Sequence, residues 1–402
     1  MRTRAWLLPL VAVGLFASGA AAYSQPGPPT ESWVGGWSAA LSPPGATGLS
    51  ETGFTGQTLR EIVHTSLGGD QVRLRFSNVF GSRPLVLDVV TVGVRTSGAD
   101  VAAAEPVRFD GQPSVVVPAG AETVSDPVDL RTGPGADLAI SLFSSGPTGP
   151  ASWHGTASAT SYYTTGDHTT DLTGAAFGKT TTSWFLLDGV DVRTRAAGAV
   201  VALGDSITDG TNSTLDADRT WPEDLARRLL PFRFSVLDEG ISGNRVLTDA
   251  GTSGVSAQAR FERDVLGQTG VRTVIFLEGI NDIGHDLGPL PGEKATPANV
   301  IAGLTAVIRA AHAHGLRIIG ATLTPIGGSK YDTPDAEATR AAVNAWIRTG
   351  GAYDGIVDFD QVVRDPSNPA QYVPAFDSGD HLHPNDAGYQ AMANAISLAE
   401  LR

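Results

Sequence analysis

The 402-residue sequence contains no cysteine, has few charged side chains and has no long apolar run beyond its N-terminus. Without cysteine, disulfides and a lipid-anchored N-terminus are excluded, so we expect stability to come from packing alone. Charged residues make up only 17%, whereas glycine (48) and proline (25) are plentiful, which favours an ordered, loop-rich extracellular protein. No later segment is apolar enough to cross a bilayer, so no stable membrane association is expected.

The sequence is also poor in positive charge. The 28 Lys and Arg residues are outnumbered by 42 Asp and Glu residues, which gives a net charge of −14. An acidic chain is a poor partner for nucleic acid or for an anionic membrane surface. Charge therefore argues against these two classes of partner but does not identify a substrate, and the oligomeric state is left open.

The N-terminus has the pattern of a secretory signal. Arg2 and Arg4 precede an apolar stretch from Trp6 to Phe16, and Ala20-Ala21-Ala22 offers small residues for cleavage. A membrane anchor is the alternative, but this stretch is shorter than the about 20 residues that a membrane span needs. We therefore predict a secreted, extracellular protein whose signal peptide is cleaved near Ala22.

Two regions with different hydrophobic patterns follow the N-terminus. Short alternating runs such as Val72–Phe76 and Leu138–Phe143, separated by turn residues, predict an all-β sandwich. From about Ala199, apolar strands alternate with helical patterns, which predicts a parallel sheet covered on both faces. The predicted organisation is a signal peptide (1–22), a flexible leader (23–31), a β-sandwich domain (32–192) and an α/β domain (196–402).

Five strands are predicted in the α/β region, which suggests a flavodoxin-like order with sites at the carboxyl ends of the strands. A helix is expected to begin at Thr220 as N-cap, with Pro222 in its first turn. The predicted strands are 200–203, 234–237, 271–277, 316–323 and 355–359, and the later predicted helices are 298–314, 335–347 and 385–401.

Two motifs almost 180 residues apart suggest nucleophilic catalysis. Gly204-Asp205-Ser206 follows the first buried strand, and Asp380-His381-Leu382-His383-Pro384 precedes the last helical pattern. A Ser nucleophile, a His base and an orienting carboxylate are the three roles that serine acyl transfer needs. We predict that Ser206 attacks, that His383 accepts its proton and that Asp380 orients His383.

Other interpretations of these residues stay open. Ser206 is also a typical turn or N-cap residue, and the Gly-x-Ser-x-Gly elbow of α/β-hydrolases is absent. Asp380, His381 and His383 are all metal-ligand types, although no further ligand cluster with a known spacing accompanies them. His381 lies two residues from Asp380, so we expect it to flank the site rather than act as the base.

Two further motifs follow the second and third predicted strands. Gly243, within Gly240-Ile241-Ser242-Gly243-Asn244, offers a bare backbone N–H to an oxyanion, and Asn281 offers a side-chain N–H. Taken alone, the first is a glycine-rich turn and the second a helix cap. All four motifs are nevertheless expected to reach one edge of the sheet.

Together, these motifs resemble the SGNH hydrolases, also called the GDSL esterase/lipase family. The resemblance covers about residues 199–402 and implies a three-layer hydrolase domain. Its Ser, Gly, Asn and His fall on Ser206, Gly243, Asn281 and His383, and its Asp falls on Asp380. It implies an oxyanion hole formed by the backbone N–H groups of Ser206 and Gly243 and the Asn281 side chain, with no metal or organic cofactor. The N-terminal half resembles the β-sandwich extension of some secreted bacterial members.

Several surrounding residues have more than one interpretation. The loops 245–259 and 283–297 are expected to shape the acyl and leaving-group pockets. His285 and Asp286 are a solvated loop pair or a substrate contact. In the β region, sugar stacking is one interpretation of the aromatic residues, and core or interface packing is the favoured one. These residues are Trp153, His154, Tyr162 and Tyr163.

The sequence therefore predicts a secreted serine ester hydrolase acting on a small-molecule or polysaccharide ester. O-acetyl groups on carbohydrate are the first choice of substrate, because the chain is exported, acidic and equipped with an additional β domain. A lipase acting on longer acyl esters is the alternative, although the loop 245–259 is not strongly apolar. A non-catalytic carbohydrate-binding protein with a degenerate hydrolase fold is a third possibility.

Overall fold

The first half of the chain is built almost wholly from short strands. The computed structural model describes residues 31–401, so the predicted signal peptide and most of the leader lie outside the described residues. One short α-helix, α1 (Leu49–Thr52), and one 3-10 turn (Gly174–Ala176) interrupt the strands. The strands are β1 (Ser32–Ser38), β2 (Gln57–Thr65), β3 (Val72–Ser77), β4 (Leu85–Leu87), β5 (Val89–Ser97), β6 (Asp100–Val101), β7 (Glu105–Pro106), β8 (Val115–Val117), β9 (Glu122–Val124), β10 (Ala136–Ser144), β11 (Trp153–His154), β12 (Ser161–Thr165), β13 (Lys179–Thr181), β14 (Trp184–Phe185) and β15 (Leu187–Thr194).

Two antiparallel sheets make up the predicted sandwich. One has the order β1-β15-β3-β9, and the other has the order β13-β12-β2-β10-β5-β6, with β7 also pairing with β5. Alternation decides which side chains enter the core: Leu74 and Phe76 of β3 are fully buried with Leu59 of β2, whereas Arg75 points away. The period-2 pattern in the sequence thus corresponds to a real inward face.

The second half alternates strands and helices. The strands are β16 (Gly198–Gly204), β17 (Phe234–Gly240), β18 (Val271–Leu277), β19 (Arg317–Ala321) and β20 (Gly355–Val357), followed by the small pair β21 (Arg364–Asp365) and β22 (Asn368–Tyr372). The helices are α2 (Ser206–Asp209), α3 (Trp221–Leu229), α4 (Ala257–Phe261), α5 (Ile280–Gly284), α6 (Pro297–Ala313), α7 (Pro334–Thr349), α8 (Phe359–Val363) and α9 (Asp386–Ala395).

The main sheet of this half is parallel and has the order β17-β16-β18-β19-β20. Counted from β16, this is the flavodoxin-like order 2-1-3-4-5, as predicted. Every residue of β16 is buried, because α3, α8 and α9 pack together as one group of helices and α4, α5, α6 and α7 as another. The predicted combination of an all-β region with a flavodoxin-like α/β region is confirmed.

Helix ends follow the local sequence with one exception. Thr220 caps α3 as predicted, in a capping box where its hydroxyl accepts from the Glu223 N–H and the Glu223 carboxylate accepts from the Thr220 N–H. The predicted last helix is too long: it ends at Ala395, because Ile396 is extended. Arg228 of α3 binds the backbone carbonyls of Ala393 and Ile396, which satisfies the end of the shortened helix.

The two halves share one continuous hydrophobic core. Strand β1 of the sandwich runs beside β17, the edge strand of the parallel sheet, and a parallel bridge joins Ala39 to Asp238. The Gly35 N–H donates to the Thr269 carbonyl at 2.9 Å. A Cβ placed on Gly35 would lie 2.8 Å from Leu237 Cδ1, so backbone and side chain are in close contact at this junction. No helix among residues 31–401 combines the length and apolar character required for a membrane span.

Truncation of Leu237 provides a test of whether the two halves of the chain unfold together. The change Leu237→Ala removes a fully buried side chain at the junction, and such truncations cost about 2–5 kcal/mol. We expect the free energy of unfolding in urea to fall by that amount, with tryptophan fluorescence and far-UV circular dichroism giving one coincident transition. The exposed Val116→Thr change serves as the control and should have little effect. Two separate transitions would contradict a shared core.

Candidate active site

The predicted site residues gather where the strand order reverses. Ser206 follows β16, Gly243 follows β17 and Asn281 lies in α5 after β18, and these three strands are neighbours in the sheet. In open α/β sheets, the crevice at such a switch point is where ligands bind. The segment with Asp380 and His383 comes just before α9 and reaches the same place.

The turn at Ser206 is tight and buried. Asp205 caps α2 by accepting from the Ile207 N–H at 2.9 Å, and Ser206 is the first residue of that helix. Strand β17 passes so close that a Cβ on Gly240 would lie 2.2 Å from the Asp209 nitrogen, so glycine is needed there for steric reasons. Because the first residues of a helix have no intrahelical acceptor, the Ser206 N–H is available to a ligand.

Ser206, His383 and Asp380 form a hydrogen-bonded series. The Ser206 Oγ lies 2.8 Å from His383 Nε2, and His383 Nδ1 lies 2.6 Å from Asp380 Oδ2. Since a carboxylate only accepts, the His383 Nδ1 carries a proton, and its Nε2 accepts from the Ser206 hydroxyl. Both Ser206 and His383 are less than 10% exposed. The geometry is that of a nucleophile beside a base whose tautomer is fixed.

Asp380 is held as a carboxylate by several donors. Its Oδ1 accepts from the Leu382 and His383 backbone N–H groups, both at 2.9 Å, and its Oδ2 also accepts from the Asn212 side chain at 3.0 Å. Burial alone would raise the pKa of Asp380, but the His383 ring and these N–H groups outweigh it and lower the pKa to about 2. Asp380 therefore stays ionised throughout the neutral range.

His381 is turned away from the Ser206 hydroxyl. Its Nδ1 is paired with Asp377 at 2.5 Å, it is half exposed and its backbone has a φ of 61°. This second Asp–His pair takes His381 out of a common ligand set with Asp380 and His383, whose facing atoms are bonded to each other. His381 thus flanks the site, in the position expected from its spacing.

Asn281 has a fixed amide orientation. Its Nδ2 donates to the Asn244 carbonyl at 2.9 Å, and its Oδ1 accepts from the Tyr331 hydroxyl at 2.8 Å. Burial raises the pKa of Tyr331 to about 12, so the phenol keeps the proton that it donates. The amide nitrogen of Asn281 carries a second N–H, and this N–H is the one that could donate to an oxyanion.

His285 extends this network by one residue. Its Nε2 lies 3.0 Å from the Tyr331 hydroxyl, and because that hydroxyl already donates to Asn281, His285 must donate through Nε2. Asp286 instead pairs with Lys294 at 2.9 Å on the surface. No sequence pattern predicts the contact between Tyr331 and Asn281, because 50 residues separate them and Tyr331 lies in a loop without a motif.

The backbone at Gly243 and Asn244 is held by contacts with the loop 245–259. Gly243 has a φ of 82°, which favours glycine, and a Cβ there would also strike the Ser253 hydroxyl. The Asn244 side chain donates to the carbonyls of Ser253 and Val255. Asp282 accepts from the N–H groups of Val246 and Leu247, so the loop 245–259 is anchored beside Asn281.

Arg260 of α4 is buried beneath the site. Its guanidinium donates to the carbonyls of Gly204 and Glu239 and to the Asn244 side chain, at 2.7–2.9 Å. Burial raises the pKa of the nearby Asp205 to about 7, although the Ile207 N–H opposes this. Burial and the neighbouring Asp205 also raise the pKa of Glu278 well above its ordinary value.

Comparison with known proteins agrees with this geometry. Residues 202–391 match the sequence profile of the GDSL-like Lipase/Acylhydrolase family. This segment is a GDSL-like hydrolase domain. The curated proteins contain no match to the chain.

Solved structures similar to this chain align with about half of it. Three of them are an acetylxylan esterase, Axe2, from Geobacillus stearothermophilus, an aryl esterase from M. smegmatis and a GDSL-like lipase from Bacteroides thetaiotaomicron. The first is 23% identical over 51% of this chain and 94% of its own, with a TM-score of 0.39. The second is 15% identical over 50% and 96%, with a TM-score of 0.41. The third is 19% identical over 51% and 88%, with a TM-score of 0.38.

The aromatic residues singled out in the β region do not share one surface. The Trp153 ring stacks on Phe185 with centroids 6.2 Å apart, and its Nε1 donates to the Pro43 carbonyl. Tyr163 lies under Lys179, whereas His154 is buried against the GDSL domain. These contacts agree with packing, the favoured interpretation.

One cluster outside the GDSL motifs has metal-ligand residue types. Ligand atoms of His64, Asp137 and Asp218 all lie within 4.8 Å of one another. The Arg95 guanidinium already pairs with Asp137 at 3.0 Å, so part of the negative charge is neutralised by the protein. Burial lowers the pKa of His64, but the hydrogen bond to Asp137 and the charge of Asp218 together outweigh burial, so the pKa is raised. His64, Asp137, Asp218 and Arg95 therefore form an ion-pair network.

Removing the Tyr331 hydroxyl should weaken the orientation of Asn281. We expect Tyr331→Phe to lower kcat on p-nitrophenyl acetate by about tenfold with KM little changed, because a fixed oxyanion donor acts mainly in the transition state. Asn281→Ala should cost more, by about 100-fold or greater. Tyr353→Phe is the matched control, since Tyr353 lies just before β20, at the amino end of that strand. An unchanged kcat in Tyr331→Phe would contradict this role.

Proposed function

We propose that this protein is a carboxylic ester hydrolase that acts through a Ser206–His383–Asp380 triad and an acyl-enzyme. The observation that carries the proposal is the pair of short contacts at the two ring nitrogens of His383, 2.8 Å to Ser206 and 2.6 Å to Asp380. The family of the GDSL-like domain supports the reaction class.

The proposed reaction has two halves. Ser206 Oγ bonds to the ester carbonyl carbon while its proton passes to His383 Nε2, and the oxyanion accepts hydrogen bonds from the Ser206 and Gly243 N–H groups and from Asn281. The imidazolium returns the proton to the departing alcohol. Water then attacks the acyl-enzyme with His383 as base, which releases the acid and restores Ser206. Asp380 keeps its charge and orients the ring throughout.

We propose acetyl esters of carbohydrate as the substrate class and a secreted location for the enzyme. The apolar predicted signal, the acidic charge and the β-sandwich region support this assignment. The loop 245–259 contributes none of the strongly exposed large apolar side chains among the described residues, and the loop 283–297 contributes one, Leu290. A lipase that takes long acyl chains needs a larger apolar surface than this.

The triad is tested with p-nitrophenyl acetate and purified residues 23–402. We expect Ser206→Ala to lower kcat by about 10⁴-fold or more, and Asp380→Asn to lower it less, because backbone contacts still hold the His383 segment. His381→Gln, which alters the neighbouring Asp–His pair, is the control and should be nearly silent. Turnover that survives Ser206→Ala, or that a chelator abolishes, would favour the metal alternative. Sugar binding without any turnover would favour the binding-protein alternative.

Acyl preference is tested separately. We expect kcat/KM for p-nitrophenyl octanoate to be at least about tenfold below that for the acetate, because little apolar surface is available to bind the longer chain. Leu290→Ser should leave this ratio unchanged. A preference for octanoate that Leu290→Ser removes would identify the 283–297 loop as an acyl-chain site and support the lipase alternative.

A further inference from the structure

His154 lies in β11, which pairs with β14 in a small sheet of the β-sandwich region, and it reaches the turn that holds Ser206. It is 5% exposed, and its Nε2 lies 3.0 Å from Asp209 Oδ1. Its Nδ1 lies 2.9 Å from the Ala40 carbonyl, and Nε2 is also 3.0 Å from the Thr156 carbonyl. All these partners are acceptors, so both ring nitrogens donate, which is possible only for the doubly protonated cation.

Asp209 connects this cation to two parts of the active site. It is the last residue of α2, the four-residue helix that begins at Ser206. Its Oδ2 accepts from the Ser242 N–H at 2.9 Å and from the Ser242 hydroxyl at 2.6 Å. Ser242 directly precedes Gly243, so one carboxylate ties the nucleophile turn to the predicted oxyanion loop.

The sandwich also lies directly against this loop. A cleft of about 180 Å³ is lined by Trp153 and Thr156 on one side and by Ser242 and Thr252 on the other. His154 stands at the base of this junction. Asp209 is 6% exposed, and a buried carboxylate without a compensating charge is strongly destabilising.

We propose that His154 is a positioning residue: as a buried cation it holds the Asp209 carboxylate in place, and through it fixes Ser206 and the Ser242–Gly243 peptide for attack. This inference rests on the proposed ester hydrolysis. It assigns the β-sandwich a part in assembling the active site, because the cation comes from β11 and the groups it fixes follow β16 and β17.

The pKa of His154 agrees with this geometry. Burial lowers it, but the charge and hydrogen bond of Asp209, the Ala40 carbonyl and the charge of Asp238 outweigh burial and raise it to about 9. His64 and Glu223 line the same junction. Since the folded value exceeds the ordinary 6.5, the ion pair is fully present below pH 6.5 and is lost as pH rises through about 9.

The test compares His154→Gln, Asp209→Asn and the double variant. We expect kcat on p-nitrophenyl acetate to fall about 10–100-fold with KM within about twofold, because small misplacements of reacting groups are costly. The double variant should be no worse than Asp209→Asn alone. The wild type should lose kcat as pH passes about 9, and His154→Gln should lack that step. His168→Gln, which breaks a surface His–Asp pair of the same sandwich, is the matched control.

A second readout does not depend on ester hydrolysis. Amide hydrogen exchange at Ser242 and Gly243 should quicken in His154→Gln, while strand β18 stays protected. A lower melting temperature with unchanged kcat and unchanged exchange at Ser242 would overturn the proposal and leave His154 as a packing residue. If the wild type cleaves no ester, the proposed function fails, and the exchange result still decides the positioning role. If His154→Gln does not fold, Ser242→Ala removes the hydroxyl contact to Asp209 while the backbone N–H contact remains, and it should show a smaller kcat loss in the same direction. An unchanged kcat in Ser242→Ala would contradict the positioning role.

Discussion

The buried guanidinium of Arg260 sets the spacing of the strand ends on which the site is built. It binds the carbonyls of Gly204 and Glu239, the last or next-to-last residues of β16 and β17, together with the Asn244 side chain. Buried carbonyls must be paired, and the Gly204 carbonyl accepts from the Ile241 N–H as well as from Arg260. A single planar cation with several N–H groups satisfies three acceptors at once, so the loops bearing Ser206 and Gly243 start from fixed points.

Holding the strand ends in place does not by itself orient the reactive side chains. Further buried groups orient those side chains. Asn281 is oriented by Tyr331 and by the Asn244 carbonyl, and His383 is oriented by Asp380. Each case pairs a functional group with a partner whose donor or acceptor role is unambiguous. Such pairing removes alternative rotamers and flips, which is how a site becomes preorganised before a substrate arrives.

The parts of this arrangement that the sequence predicted are those determined by local pattern. Strand periodicity placed β16, β17 and β18, and the Asp-x-x-His spacing placed Asp380 next to His383, because three residues of one segment suffice to make that contact. Gly243 was identifiable because its motif follows a strand. These inferences needed only the rule that parallel strands end at one edge of the sheet.

Contacts between distant segments could not be predicted in this way. Tyr331 meets Asn281 through a loop whose path depends on the whole fold, and His154 meets Asp209 across the junction of the two halves. A histidine in a short strand gives no periodic signal of its partner. The predicted end of the last helix was wrong for a related reason, since Arg228 on another helix binds its final carbonyls.

The junction between the two halves has one electrostatic property that follows from its composition. Desolvation raises the pKa of Glu223 to about 7 and that of Asp238 well above its ordinary value. Burial lowers the pKa of His154, but its acceptors, with Asp209 first among them, outweigh burial and raise this pKa to about 9. In each case the folded state binds protons more tightly than the unfolded chain, so each contribution to stability declines as pH rises. The contribution of Glu223 to stability declines between its ordinary pKa of 4.5 and about pH 7, and the contribution of His154 declines between pH 6.5 and about pH 9. The two windows adjoin, so the junction that positions Ser206 is weakened progressively toward alkaline pH, whereas Asp380 loses its contribution only in acid as pH falls toward about 2.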